Sequence, residues 1–121
     1  MKHIDGRLSA GAVGLNGKPS LLTVKNIKTG WSACLHSCQS LLMAQNIRAD
    51  CLVRLDGCPS LLTTEDVKAG GDVSLDHNFS LLTVKNIRAG ADLYLYNCPS
   101  LLELSTTIEA EEIYVSFNLK Q

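Results

Sequence analysis

The sequence has few aromatic residues, almost no net charge and no long apolar run. Aromatic side chains make up 5% of its 121 residues, while hydrophobic residues make up 45%, so the core must be aliphatic and regular. A net charge of −1 excludes steering of a partner by bulk charge. The chain has no run of about 18 apolar residues, as a membrane-spanning helix needs. Residues 1–14 also lack the apolar segment of a secretory signal.

The number of cysteines is odd, and the motifs of common enzymes are absent from the sequence. The cysteines are Cys34, Cys38, Cys51, Cys58 and Cys98. An odd number without a secretory signal indicates reduced thiols, so we expect a cytoplasmic protein, with delivery into a host cell left open. There is no nucleophile–base motif, no glycine-rich phosphate loop and no H-x-x-x-H motif. We therefore predict that the protein is not an enzyme and needs no cofactor.

What the sequence does contain is a repeat of twenty residues. A Ser-Leu-Leu triplet recurs without insertion or deletion, opened by Ser20, Ser40, Ser60, Ser80 and Ser100. Such periods are typical of solenoids, whose terminal coils need atypical capping sequences. We predict one domain with an N-terminal cap at 1–12, five repeats at 13–112 and a terminal strand at 113–121. Near the end the repeat becomes irregular, and Ile108 stands where earlier copies have a basic residue.

Two apolar columns predict one short strand per repeat. The first contains Val13, Ala33, Val53, Val73, Leu93 and Ile113. The second, two residues later, contains Leu15, Leu35, Leu55, Leu75, Leu95 and Val115. A spacing of two is typical of a strand with one buried face, and neighbouring strands would pair in parallel about 4.8 Å apart.

After each strand the apolar spacing changes to three, which favours a polyproline II or 3₁₀ return segment. Pro and Ser residues at 19–20, 59–60 and 99–100 predict the turn between strand and return segment. A second corner carries Gly30, Asp50, Gly70 and Gly90, where a positive φ would cost little.

The pattern L-x-L-x-x-C-P-S-L at 93–101 resembles the leucine-rich repeat signature, L-x-L-x-x-(N/C)-x-L. A period of twenty is similar to the shortest repeats of that family, which occur in secreted bacterial effectors. The resemblance implies a right-handed solenoid that is rich in β-structure, has one short parallel strand per coil and binds other proteins. Lys18 departs from the Asn/Cys position of the signature, and the Leu-Pro pairs of the effectors are absent.

A parallel β-helix with three strands per coil is the alternative fold. Leu82 and Val84 alternate well enough to permit a second short strand. The amide and carboxylate side chains that could form a ladder through such a coil are Asn26, Asn46, Asp66 and Asn86.

The outward side chains of the predicted strands form the candidate binding surface. Tyr94, Tyr96 and Tyr114 are near the C-terminal end of this surface, beside Asp72, Asp76 and Asp92. Tyrosine offers a large contact area at a small entropic cost, which suits binding, although tyrosines are also good strand formers. The predicted contacts to another protein, whose identity the sequence leaves open, are Arg54, Asp76, Asp92, Tyr94, Tyr96 and Tyr114.

Three other groups of residues have side chains capable of metal binding, thiol hydrogen bonding or acid–base chemistry. Cys34 and His36 share a face but Cys38 should point inward, so we predict no metal site. We expect Cys38, Cys58 and Cys98 to be core thiols that bond backbone carbonyls. Asp56 and Asp76 should be neighbours and could do acid–base work in a small β-helix enzyme acting on carbohydrate.

The last two features concern a basic column and the chain's final strand. The basic column is Lys28, Arg48, Lys68 and Arg88, a stripe roughly 15 Å long that could contact phosphates. With no overall positive charge and no interleaved aromatic residues, we consider nucleic acid an unlikely partner. The strand Ile113–Val115 has no following helix to cover it, so a homodimer through this edge, or a self-assembling scaffold, is a further hypothesis.

Overall fold

The computed structural model describes residues 2–104 and 107–116, and every regular element in these ranges is a β-strand. The longer strands are β1 (His3–Ser9), β3 (Thr23–Thr29), β5 (Met43–Ala49), β7 (Thr63–Ala69) and β9 (Thr83–Ala89). The shorter ones are β2 (Val13–Gly14), β4 (Ala33–Cys34), β6 (Val53–Arg54), β8 (Val73–Ser74), β10 (Asp92–Leu95) and β13 (Glu112–Val115). Two further short strands, β11 (Glu103–Leu104) and β12 (Ile108–Glu109), belong to the last coil. Among the described residues there is no helix long and apolar enough to cross a membrane.

The strands form two parallel sheets that run along the whole array. The longer strands pair in the order β1-β3-β5-β7-β9-β11, with β12 also on β9, and we call this the long sheet. The shorter strands pair in the order β13-β10-β8-β6-β4-β2 and form the short sheet. Pairing joins residues twenty apart, as in Lys28 with Arg48. The chain is therefore a β-solenoid of about six turns, which confirms the predicted repeat solenoid.

The return side of each coil is a paired strand, where the sequence favoured a polyproline II or 3₁₀ segment. Single residues with positive φ explain the difference. Asn46 (φ 55°) lies in the middle of β5, and His77 (φ 60°) follows the short strand β8. A left-handed residue turns the chain by itself, so the inward side chains on either side of it are three residues apart, as Ala44 and Ile47 are. At these two points the apolar spacing of three therefore marks a left-handed bend, one inside the long strand and one after the short strand.

Both left-handed corners repeat along the solenoid in residue types that tolerate positive φ. One column contains Asn26, Asn46, Asp66 and Asn86, and the other contains Gly17, Ser37, Gly57, His77 and Asn97. The first column also forms a side-chain ladder. Asn26 Nδ2 donates to Asp5 Oδ1 at 2.7 Å, and Asn46 Nδ2 donates to Asn26 Oδ1 at 2.7 Å. Asn86 Nδ2 donates to Asp66 Oδ1 at 3.1 Å. This is the ladder that the β-helix alternative predicted.

The glycine-rich corner does not use the positive φ that its glycines would allow at low cost. Gly30, Asp50, Gly70 and Gly90 all have negative or extended φ, since none is among the described residues with positive φ. The glycines serve a different purpose there. A Cβ atom on Gly70 would lie 2.1 Å from the carbonyl oxygen of Asp50, and one on Gly90 would lie 2.1 Å from that of Gly70. Gly70 and Gly90 have no room for a Cβ atom because the backbones of successive coils stack closely there, although Asp50 carries one in the same column.

The core is a set of aliphatic columns that run between the two sheets. Leu35, Leu55, Leu75 and Leu95 are fully buried, as are the interior members of the long-sheet columns that contain Val84 and Ile87. Thiols occupy one column, as predicted. Cys38 Sγ donates to Leu15 O at 3.1 Å and Cys58 Sγ to Leu35 O at 3.4 Å. In the same column the Asn78 amide accepts from the Cys58 N–H at 2.8 Å and donates to Leu75 O at 2.8 Å.

The register of the last coil shifts by one residue at Ile108 and returns to the twenty-residue interval at Glu112, which corrects the register expected from the sequence. Glu103 pairs with Thr83 and Glu112 with Asp92, each twenty residues apart, but Ile108 pairs with Ile87, which is twenty-one residues away. Ile108 therefore continues the isoleucine column and does not replace a basic residue. Glu109 faces Arg88 instead, with Arg88 Nε 3.4 Å from Glu109 Oε2.

At the other end, residues 3–9 of the predicted cap form strand β1, which pairs with β3 in the same register as the interior coils. Of the predicted terminal strand 113–121, residues 117–121 lie outside the described part of the chain, as does Met1 of the predicted cap.

Candidate functional site

The outward face of the short sheet changes its chemistry from coil to coil. One outward column contains Cys34, Arg54, Ser74, Tyr94 and Tyr114, which the register places side by side. Towards the C-terminal end this surface becomes aromatic and acidic. We call that part the tyrosine face and define it by Arg54, Asp72, Ser74, Asp76, Asp92, Tyr94, Tyr96 and Tyr114.

Three tyrosine rings form one cluster on the tyrosine face. Tyr94 and Tyr114 are paired across neighbouring strands and stack with ring centroids 5.0 Å apart and planes 11° apart. Tyr96 leans against both, with its centroid 6.3 Å from that of Tyr94 and 6.0 Å from that of Tyr114. Parallel pairing in register brings the rings into contact, since neighbouring strands are only about 4.8 Å apart. The predicted grouping of these residues is confirmed.

Negative charge surrounds the tyrosine hydroxyls. Tyr94 Oη donates a long hydrogen bond of 3.5 Å to Asp92 Oδ2. Desolvation raises the pKa of Tyr94, and the charges on Asp72 and Asp92 raise it further. The pKa of Tyr114 is raised first by the charge on Asp92 and then by desolvation. Both phenols therefore stay protonated at neutral pH and keep their hydroxyl donors.

Two of the carboxylates bond the backbone of the next coil. Asp76 Oδ1 accepts from the Tyr96 N–H at 2.7 Å, and Asp72 Oδ1 accepts from the Asp92 N–H at 3.0 Å. These bonds satisfy N–H groups beside the short strands. Desolvation raises the pKa of Asp76, although the bond from Tyr96 opposes this shift. Asp76 therefore positions the loop that holds Tyr96, as well as presenting a second carboxylate oxygen on the surface.

Arg54 is held in a two-point ion pair within its own coil. Its Nε lies 3.1 Å from Asp56 Oδ1 and its Nη2 lies 2.9 Å from Asp56 Oδ2. This bond raises the pKa of the guanidinium, and the charges of the pair cancel. Asp56 and Asp76, the two carboxylates of the carbohydrate-enzyme alternative, thus have separate partners, an arginine and a backbone N–H.

A hollow of about 320 Å³ lies between Arg54 and Tyr94. It exists because Ser74, a small residue, stands between these two large side chains in one column. The remaining lining comes from Leu52, Val53, Asp72 and Asp76. A single side chain of a bound partner would fit into such a hollow beside the stacked rings.

The six predicted contact residues are placed as follows. Tyr94, Tyr96 and Tyr114 form the ring cluster, and Asp92 lies beside Tyr94. Arg54 and Asp76 line the hollow next to that cluster. The sequence-based prediction left out Asp72, Ser74 and Leu52. The sequence carried a signal for Ser74, because a small residue between two large ones in a parallel ladder predicts a depression.

The basic column lies on the long sheet, on a surface separate from the tyrosine face. Lys28, Arg48, Lys68 and Arg88 are paired in register and exposed. Arg48, Lys68 and Arg88 line a hollow of about 540 Å³ together with Asp66 and Glu109. Acidic residues are thus interspersed with the cations, and Glu109 pairs with Arg88.

Cysteine and histidine residues, which can act as metal ligands, lie near the start of the short sheet. Cys34 is half-buried, whereas Cys38 is fully buried beneath it. Within residues 2–104 and 107–116, no three His, Cys, Asp or Glu side chains are grouped as metal ligands would be.

Comparisons of the chain with protein-family models, with curated proteins and with solved structures gave no match.

Proposed function

We propose that this protein is a non-enzymatic binding module that holds another protein on its tyrosine face. The observation that carries the proposal is the cluster of three contacting tyrosine rings beside a side-chain-sized hollow. Aromatic residues that surround a pocket are the common energetic centre of protein–protein interfaces. The resemblance of residues 93–101 to leucine-rich repeats, which mostly bind proteins, supports the same function.

The charge of the tyrosine face indicates the kind of partner. Asp72, Asp76, Asp92 and Glu112 lie on or beside it, while Arg54, its cation, is paired with Asp56. The net charge of the face is therefore negative. A lysine or arginine side chain of the partner could enter the hollow near these carboxylates and contact the face of a tyrosine ring, which attracts cations. We therefore propose a partner with an exposed basic segment.

We further propose that the protein works in the cytoplasm. All five cysteines are free thiols, although Cys38 and Cys58 occupy one column in adjacent coils, which is a suitable position for a disulfide. Free thiols in this arrangement are typical of a reducing compartment.

Affinity capture from a cell lysate, followed by titration of the captured protein, tests the proposed function. The test variant is Tyr94→Ala/Tyr96→Ala. The control is Trp31→Ala/Phe79→Ala, which also removes two aromatic rings, because Trp31 and Phe79 are 59% and 55% exposed outside the tyrosine face. We expect the test variant to lose at least about tenfold in affinity, or about 1.4 kcal/mol. The control should bind like the parent.

The salt dependence of the affinity is a second test of the proposed partner. If a basic segment binds the acidic face, affinity should fall as salt rises from 50 to 500 mM, since surface charges are screened. Equal capture by the parent and the tyrosine variant would contradict the proposed function. If the affinity is independent of salt but is lost in the tyrosine variant, the tyrosine face is supported as the binding surface. The proposal that the partner carries a basic segment is then contradicted.

A further inference from the structure

The two ends of the solenoid differ in charge and shape. At the N-terminal end a hollow of about 310 Å³ lies over the core, with Ile4, Leu15 and Leu21 among its lining residues. Arg7 and Lys18 line it as well. Arg7 pairs with Ile27 and so occupies the isoleucine column, and Lys18 occupies the column of Cys38. Cations thus stand where the interior coils carry core residues.

The opposite end exposes apolar side chains surrounded by acids. Leu104 is 38% exposed and Ile113 is 42% exposed, whereas their counterparts one coil earlier, Val84 and Leu93, are fully buried. The exposed acidic residues of this coil are Glu103, Glu109, Glu111 and Glu112. Residues 101–104 and 107–116 include no lysine or arginine. This end is therefore apolar at its centre and negative around it.

Among residues 2–104 and 107–116, each end also has strands that are paired on one side only. At the N-terminal end β1 pairs with β3 and β2 with β4, and at the other end β11 pairs with β9 and β13 with β10. The ladders are parallel throughout, so the edge at one end is the counterpart of the edge at the other. An unpaired strand edge is a template for another chain.

We propose that a second copy of this chain stacks head to tail on the first, with its N-terminal end against the C-terminal end. Continuing the twenty-residue register across the join sets Leu104 against Ile4, Ile113 against Val13 and Val115 against Leu15 of the second copy. These three apolar columns then continue across the join, whereas Arg7 interrupts the isoleucine column there. The hollow over the N-terminal core receives the side chains that are exposed at the other end.

The charges favour this arrangement over the homodimer through two C-terminal edges. In residues 2–18 the charged side chains of the first coil are Lys2, Arg7 and Lys18 against Asp5, whereas the described part of the last coil has only glutamates. Joining two C-terminal ends brings four glutamates from each copy together, which is repulsive. Head-to-tail joining brings opposite charges together. Since each copy keeps one free end of each kind, the contact is heterologous and the assembly is open.

Charge reversal at each end tests the proposal. One variant is Arg7→Glu/Lys18→Glu and the other is Glu111→Lys/Glu112→Lys, and all four residues are exposed. An interior control, Lys28→Glu/Lys68→Glu, changes the net charge as the first variant does. Sedimentation velocity at increasing protein concentration gives the mass, and circular dichroism checks that each variant keeps its β-structure.

We expect the parent and the interior control to reach at least three times the monomer mass, and each end variant alone to stay monomeric. An equimolar mixture of the two end variants should assemble again, because each reversed end then meets an end of opposite charge. A parent that stays monomeric at every concentration overturns the proposal. Dimers that persist in the Arg7→Glu/Lys18→Glu variant also overturn it, since they would join C-terminal edges.

Discussion

The two sheets of the solenoid share one core but differ in how strictly their outward residues repeat. On the long sheet, two outward columns keep one kind of residue through the interior coils, namely the amide or carboxylate of the Asn46 column and the cation of the Arg48 column. A third column, that of Gln45, varies between cation, amide and carboxylate. On the short sheet, the column of Arg54 changes at nearly every coil, from a thiol to a guanidinium, a hydroxyl and finally phenol rings.

The residues that repeat maintain the architecture of the solenoid, whereas the residues that vary are available for recognition. A left-handed corner must be formed in every coil, so the residues that tolerate it recur, and their side chains bond the copies above and below. The short strands need only their inward residues to repeat. Their outward positions are free to differ, and within the described part of the chain three aromatic rings are in contact only there.

The largest effect should come from the core that the two sheets share. Leu75 is fully buried between them, so Leu75→Ala removes buried methyl groups and leaves a cavity. We expect a loss of about 2–5 kcal/mol in the free energy of unfolding, measured by urea denaturation. Leu62→Ala is the control, because Leu62 is 39% exposed. Equal losses in the two variants would contradict a common buried core.

The next effect concerns the corner where the sheets join. A Cβ atom on Gly90 would meet the carbonyl oxygen of Gly70, whereas one on Gly14 meets only Asn16 Oδ1, at 3.8 Å. We expect Gly90→Ala to lower the free energy of unfolding by about 1–3 kcal/mol, through the backbone shift that the clash requires. Gly14→Ala should change it by less than about 0.5 kcal/mol. If thermal unfolding ranks the two variants the other way, the close stacking at this corner is wrong.

Asn46, at the left-handed corner of the long sheet, affects stability in two ways, through its backbone conformation and through its side-chain hydrogen bond. Asn46 has a φ of 55° and donates to Asn26. Asn46→Ala should lose about 1–2 kcal/mol for the strained backbone, in addition to the hydrogen bond. Asn46→Gly relieves the strain and should lose only the bond, about 0.5–1.5 kcal/mol. Chemical denaturation of both variants measures the difference. If alanine is as well tolerated as glycine, the backbone conformation does not explain why this column repeats.

The smallest expected effect is a pH dependence on the short sheet. Desolvation raises the pKa of Asp76 in the folded protein, so the folded state binds the Asp76 proton more tightly than the unfolded state does. Stability is therefore lost as pH rises from the ordinary aspartate pKa through the raised one. Asp76→Asn removes this loss and keeps an oxygen to accept from the Tyr96 N–H.

We expect the stability advantage of Asp76→Asn over the parent to grow as pH rises from 3 to 7, as measured by unfolding at several pH values. An advantage that shrinks over this range would show that the bond from Tyr96 dominates over desolvation.

Much of the architecture could be predicted from the sequence, because a parallel ladder stacks residues one period apart. The twenty-residue interval and the inward leucines therefore indicated the core, and the same argument grouped Tyr94, Tyr96 and Tyr114. The long strands were missed, because the left-handed residue within each interrupts the alternation of two that identifies a strand. The one-residue shift of register at Ile108 was missed too, since a column count assumes a constant period.

By itself, the sequence determined the period, the aliphatic core columns and the grouping of tyrosines with acids, since these depend only on which residues share a position in the repeat. The tertiary structure decided which carboxylates bond the backbone, how Arg54 is neutralised by Asp56 and where a hollow opens over Ser74. These features depend on side-chain direction and on the size of the neighbour one coil away. Position along the chain gives neither of them.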